Sequence, residues 1–136
     1  MQGPANDQRR VLLLAGTGDG PRLVKELSRR HWRVSVSVVT ATAAKAYAGL
    51  PVERISIGAL QGIGGIKAAL HQTGPFRLVV DATHPFAAQI SHDLVTACAD
   101  LGQPLLRFER RFEPLGAASL VADAEAFSAQ SLQGQR

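Results

Sequence analysis

Short apolar runs and stretches of helical spacing alternate five times along this chain. Val11 to Ala15 is an apolar run closed by a glycine, and from about Pro21 to His31 the residues Leu23, Val24 and Leu27 recur at helical spacing, so strand, loop and helix are expected in that order. From Arg33 to Val39, Val34, Val36 and Val38 alternate with Ser35 and Ser37, the period of a β-branched strand. A weaker helix is expected over Thr42 to Tyr47 and a third strand over Val52 to Ile57. Leu60 to Gln72 carries a helical pattern stopped by Gly74-Pro75, and Arg77 to Asp81 reads as the fourth strand. The longest helix is expected from Pro85, whose missing N–H has no partner at a first helical position, to Leu101. Its buried face is expected to carry Ile90, Leu94, Val95 and Cys98, with Gly102 just past its end and Pro104 to Phe108 as a fifth strand.

This alternation with short connections predicts an α/β fold, a Rossmann-like or flavodoxin-like parallel sheet with helices on both faces. After Arg111 the pattern weakens: Pro114, Gly116 and Ala117 to Ser119 read as a linker, and Asp123 to Leu132 as a last helix. The expected organisation is a flexible tail over 1–10, one domain over 11–112, and a linker over 113–136 leading towards a second domain. With 136 residues, 46% of them hydrophobic, the chain can bury one core and has no room for two. No apolar run approaches the ~20 residues that cross a bilayer. Asp7, Arg9 and Arg10 with no apolar stretch among them argue against a secretory signal, so a soluble, cytoplasmic chain with no membrane partner is expected.

The net charge of +4 admits polyanionic partners, but Arg29-Arg30, Arg33 and Arg110-Arg111 form separate doublets and only 5% of residues are aromatic. That supplies neither the basic stripe nor the stacking platforms of a nucleic-acid surface, and a multiply negative metabolite fits better.

The first loop places Gly16, Thr17, Gly18 and Asp19 between a strand and a helix N-terminus, where glycines permit close approach and unpaired N–H groups suit a phosphate. The competing reading is a tight turn without ligand, with Asp19 as the helix cap. Cofactor type follows from an absence. No Asp or Glu occurs between Glu26 and Glu53, whereas NAD sites place a carboxylate at the end of the second strand. Ser37, Thr40, Thr42 and Lys45 stand there instead, a set able to bind a 2′-phosphate, so NADPH is the expected cofactor. Ordinary loop hydroxyls and a surface lysine are the alternative. Gly62, Gly64 and Gly65 at the next helix start would let backbone pass close to a flat ligand.

Asp81, Thr83 and His84 cluster at the carboxyl end of the fourth strand, the edge where open α/β sheets bind ligands, with Pro85 and Phe86 next to them. Thr83 or His84 is placed to cap the following helix. His84 is the candidate proton donor because imidazole titrates near neutrality, its alternative being a capping loop residue, while Asp81 has the competing role of fixing the turn. No metal is expected: His31, His71 and His92 lie on other elements, and Cys98, the one cysteine, completes no zinc set and reads as core. A Gly-x-Ser-x-Gly elbow is missing, and Tyr47, the one tyrosine, has no lysine four residues on, which disfavours a hydrolase and a short-chain reductase.

The run Asp81-Ala82-Thr83-His84-Pro85-Phe86-Ala87 resembles the signature of precorrin-6A reductases, the NADPH-dependent enzymes of the corrin branch of tetrapyrrole synthesis. The likeness extends to Gly16-Thr17-Gly18-Asp19-Gly20, Gly62-Ile63-Gly64-Gly65 and Pro104-Leu105-Leu106-Arg107-Phe108-Glu109-Arg110, in the family's order. It implies an oxidoreductase of cobalamin biosynthesis in which NADPH delivers hydride to a double bond of precorrin-6A or its cobalt form, with a proton supplied at the neighbouring carbon. It further implies that the glycines at 62, 64 and 65 border the cofactor and that Asp81, Thr83, His84, Pro85 and Phe86 lie at the substrate and cofactor edge. The family's chains carry a second α/β domain that completes the substrate cleft. This chain is therefore expected to be the nucleotide-binding half, with a tetrapyrrole substrate as partner and the other domain supplied in trans or absent. The alternative is a non-catalytic nucleotide-binding module.

Overall fold

A computed structural model describes residues 9–109. The boundary expected at 112, the linker over 113–136, its helix at Asp123 to Leu132, and most of the tail over 1–10 lie outside the described residues. The elements are β1 (Arg10–Ala15), α1 (Gly20–Arg29), β2 (Arg33–Val38), α2 (Ala41–Ala44) continued by a 3-10 turn (Lys45–Tyr47), β3 (Val52–Ile57), α3 (Gly62–Thr73), β4 (Leu78–Ala82), α4 (Ala88–Leu101) and β5 (Leu105–Arg107). All five strands pair in parallel in the order β3-β2-β1-β4-β5. This is the Rossmann order; the flavodoxin alternative would place the third strand beside the first. The order reverses between β1 and β4, so the ligand crevice of such a sheet lies above their carboxyl ends.

Alternation along the strands builds two cores. Val11, Leu13 and Ala15 of β1 join Val34, Val36 and Val38 of β2 under Leu23, Val24 and Leu27 of α1. Leu12, Leu14 and Val79 face the other way, onto Ile66 and Leu70 of α3 and Leu94, Ala97 and Cys98 of α4. Because helices cover both sides, β1 is apolar throughout from Val11. Edge strand β3 is mostly exposed and carries Glu53 and Arg54, charges that discourage edge-to-edge pairing. No helix among the described residues is long and apolar enough to cross a membrane.

Three expectations need correction. Helix α4 begins at Ala88, three residues after Pro85. Pro85 and Phe86 instead occupy the centre of a tight turn closed by the Ala87 N–H donating to His84 O at 2.8 Å, a position that the fixed φ of proline suits equally well. Neither Thr83 nor His84 caps the helix; its N-cap is Ala87, with no side-chain bond. Val95 is 59% exposed, because the buried stripe of α4 runs through Leu94, Ala97 and Cys98 with Ile90 at its margin.

The amino ends of three strands are tied by one arginine. Arg10 donates to Glu53 Oε1 at 3.0 Å and to the carbonyls of Thr73 and Pro75 at 2.9 Å each, with its guanidinium 4.8 Å from the centre of the Phe76 ring. Arg33 donates to the other Glu53 oxygen at 2.5 Å. Burial works against ionisation of Glu53, but the hydrogen bonds and charges of Arg10 and Arg33 outweigh it and hold the carboxyl below its ordinary value.

A carboxylate lowered by folding contributes stability that is complete above its unfolded pKa, about 4.3, and is lost as pH falls through the folded value. Glu53→Gln should therefore lower the denaturant midpoint at pH 7, and the gap to the parent chain should close by about pH 3. Parallel midpoint-against-pH curves for the two chains would contradict this role.

Candidate functional site

Ala15 lies opposite Ala82 in the β1–β4 pairing, so the loops that leave those strands emerge side by side. The Gly16 N–H donates to Ala82 O at 3.2 Å. A Cβ on Gly16 would stand 3.0 Å from the His84 nitrogen and 3.1 Å from Thr83 Cα, tighter than almost any real contact, so the first glycine loop and the Thr83-His84 loop pack backbone against backbone. Gly18 is different: a Cβ there would meet nothing within 4 Å. Asp19 takes the N-cap position of α1 as expected but makes no side-chain capping bond; its carbonyl accepts from Leu23 N–H at 3.0 Å and its N–H donates to Thr17 Oγ1 at 3.3 Å.

Behind this junction lies a polar network among otherwise apolar residues. Asp81 is 2% exposed. Its Oδ1 accepts from Thr83 N–H at 3.0 Å, Thr83 Oγ1 at 2.6 Å and Arg107 Nη1 at 3.0 Å, and its Oδ2 accepts from Ser91 Oγ at 2.6 Å. Arg107 also donates to Thr83 Oγ1 at 3.1 Å. Four donors, one of them a guanidinium, satisfy the buried charge, so Asp81 locks the start of the β4–α4 loop to helix α4 and strand β5. The turn-fixing reading of Asp81 describes this geometry. Burial, then the Asp81 charge, push the nearby Cys98 thiol up to about 11, which keeps it protonated in the core.

The loop held by this network presents His84 and Phe86 outward. His84 Nδ1 accepts from the Phe86 N–H at 3.1 Å, which leaves Nε2 as the proton-bearing nitrogen of the neutral ring. The two rings sit 5.0 Å apart at an angle of 41°, and Phe86 is 91% exposed.

Beside the first glycine loop opens a cleft of about 510 Å³, walled by Gly16, Thr17, Gly18 and Pro21 on one side and by Val39, Ala43, Ala46 and Tyr47 on the other. Ser37, Thr40, Thr42 and Lys45 are not among its lining residues. Ser37 falls on the opposite sheet face from Val36 and Val38, Thr40 Oγ1 caps α2 by accepting from Ala43 N–H at 3.1 Å, and Thr42 and Lys45 are exposed on the same short segment. Gly62 opens α3 at the carboxyl edge with a φ of 68°, a conformation that favours glycine. Gly64 has open space, Gly65 lies against Gln61, and none of the three borders this cleft. Among the described residues no group of three His, Cys, Asp or Glu side chains gathers as a metal site would require.

Sequence reasoning assigned no role to Ser91, Arg107 or Tyr47. Ser91 carried a weak signal, a small polar residue one turn before Leu94 and two before Cys98 on the buried stripe, and Arg107 stood inside a recognised motif with no stated partner.

The family model described as Precorrin-6x reductase CbiJ/CobK matches residues 10–132. The precorrin-6A reductase of Mycobacterium tuberculosis (strain H37Rv) is 36% identical over 127 residues, covering 92% of this chain and 50% of that protein. The one from Rhodobacter capsulatus is 40% identical over 101 residues, 74% of this chain and 39% of that protein. Among solved structures, CobK precorrin-6A reductase superposes with a TM-score of 0.66 at 38% identity, over 76% of this chain and 40% of that one. The chain thus spans at most about half the length of these relatives.

Removing Arg107 would leave Asp81 buried with its charge unpaired. Arg107→Ala should cost about 3 kcal/mol in unfolding free energy, and adding Asp81→Asn should recover part of that loss because the stranded charge is gone. Strictly additive losses in a double-mutant cycle would show that the two groups are not coupled.

Proposed function

The chain belongs to the precorrin-6x reductase family, and from that premise we propose that it is the nucleotide-binding half of an NADPH-dependent reductase acting on precorrin-6A or its cobalt form in the cytoplasm. The observation that carries the reading is the cleft at the carboxyl edge of the sheet between the segments that follow β1 and β2, where the first glycine loop and the N-terminus of α1 meet an apolar wall. These residues suit a dinucleotide: Gly18 leaves open the volume that a pyrophosphate needs, and the stretch from Leu27 to Val52 offers no carboxylate to repel a 2′-phosphate. Thr42 and Lys45, exposed beyond the cleft wall, would take that phosphate, and Thr40 contributes through the segment it caps.

NADPH, when bound, supplies the hydride that reduces one carbon–carbon double bond of the macrocycle. The protein's part is positioning. The loop pinned by Asp81 would set the exposed Phe86 ring and the outward Nε2 of His84 beside the nicotinamide end of the site, the ring as a flat apolar surface and the imidazole as a proton source for the neighbouring carbon. Solvent is the competing donor.

Titration by calorimetry or fluorescence should give NADPH at least about tenfold tighter binding than NADH at low salt, the size of one charge-assisted hydrogen bond. The preference should shrink as salt rises, and Lys45→Ala should remove more affinity for NADPH than for NADH. Equal affinities at low salt would sink the assignment. Gly18→Val should fold normally, since a side chain there meets open space, yet lose both dinucleotides; unchanged affinity would reduce the loop to a turn.

A further inference from the structure

Tyr47 is the one tyrosine of the chain, and the reading above gives it no task. It closes the 3-10 turn after α2, is only 5% exposed, and lines the cleft opposite the first glycine loop. Its hydroxyl rests over Gly20, the first residue of α1, so closely that a Cβ at that position would collide with it. No described residue hydrogen-bonds this hydroxyl. Buried tyrosine hydroxyls ordinarily find a partner, and leaving one without a partner disfavours the fold. The oxygen is not sealed in, because among the described residues Ser35 Oγ is the one fully enclosed side-chain polar atom lacking a partner, and Tyr47 is one of the residues that line the cleft.

Two sets of unsatisfied donors therefore share one volume. The N–H groups of Thr17 and Gly18 in the glycine loop, which line the cleft, donate to no described residue, and the phenol O–H stands over Gly20 at the end of the same loop. An anionic oxygen satisfies both. Building on the nucleotide reading, we infer that Tyr47 Oη donates a hydrogen bond to a pyrophosphate oxygen of the bound dinucleotide, and that Tyr47 is a binding residue of this site. The pyrophosphate is favoured over the 2′-phosphate because the hydroxyl lies on α1, whereas Thr42 and Lys45 face solvent on α2 and the turn after it. Burial also raises the phenol's pKa above its ordinary value, so the group remains a donor throughout the neutral range.

Tyr47→Phe deletes the oxygen and nothing else. The denaturant midpoint should stay constant or rise, while affinity for NADPH and for NADH falls by the same factor, about tenfold, because the pyrophosphate is common to both. An independent measurement uses the unmodified chain: with a single tyrosine, absorbance at the tyrosinate band reports Tyr47 alone. Saturating ADP-ribose, which carries the pyrophosphate without the nicotinamide, should displace its alkaline titration upwards. A lower midpoint with unchanged affinities would make the hydroxyl purely structural, a loss confined to NADPH would move it to the 2′-phosphate, and an undisplaced titration would remove it from the pyrophosphate; each overturns the inference. If the unmodified chain binds neither dinucleotide, the nucleotide reading fails first and takes this inference with it.

Discussion

The arrangement of loops at the carboxyl edge of the sheet depends on one steric constraint, the backbone contact between Gly16 and the Thr83-His84 segment. Parallel pairing of β1 with β4 brings two loops to the same point on the sheet edge, and the lack of a side chain at Gly16 lets them touch. The first loop faces the cleft beside β2, and the second carries His84 and Phe86. Their spacing is thereby set by main-chain atoms, which are far less adaptable than side chains. A group held by the first loop and a group presented by the second stand in a fixed relation, which is the condition that positioning a reactant requires.

Charge is distributed to support that geometry. At the amino edge of the sheet Arg10 and Arg33 share Glu53, and at the carboxyl edge Arg107, Thr83 and Ser91 saturate Asp81. The second set is the more demanding, because Asp81 is almost wholly enclosed and an ionised carboxylate in apolar surroundings is tolerated only when it is paired and fully hydrogen-bonded. In exchange, the loop that begins at Thr83 is anchored to the helix that follows it, α4, by Ser91 and to the more distant β5 by Arg107. With its oxygens occupied, Asp81 holds in place the loop that presents His84 and Phe86 outward.

The cleft itself is mostly apolar, with Thr17 and Tyr47 the hydroxyl-bearing residues of its lining. Such a lining suits a ligand that combines a flat apolar body with a phosphate aimed at a helix N-terminus.

The sequence by itself determined the strand and helix order, the α/β class and the family, because each of these is written in local periodicity, in glycine and proline punctuation and in contiguous motifs. All five strands fall within a residue or two of their expected places, for alternation and apolar runs depend on neighbours along the chain. Strand order was not legible: a Rossmann and a flavodoxin sheet share the same run of elements, and only the pairing of β1 with both β2 and β4 separates them. The start of α4 was misplaced because Pro85 fits a helix's first turn and a tight turn equally well, and the choice falls to the Ala87 to His84 bond. The Arg107 bond to Asp81, the contact across Gly16 and the seat of Tyr47 over Gly20 join residues far apart in sequence. Such contacts carry no period and no spacing, since they come into existence only when the sheet closes and brings distant loops to one edge.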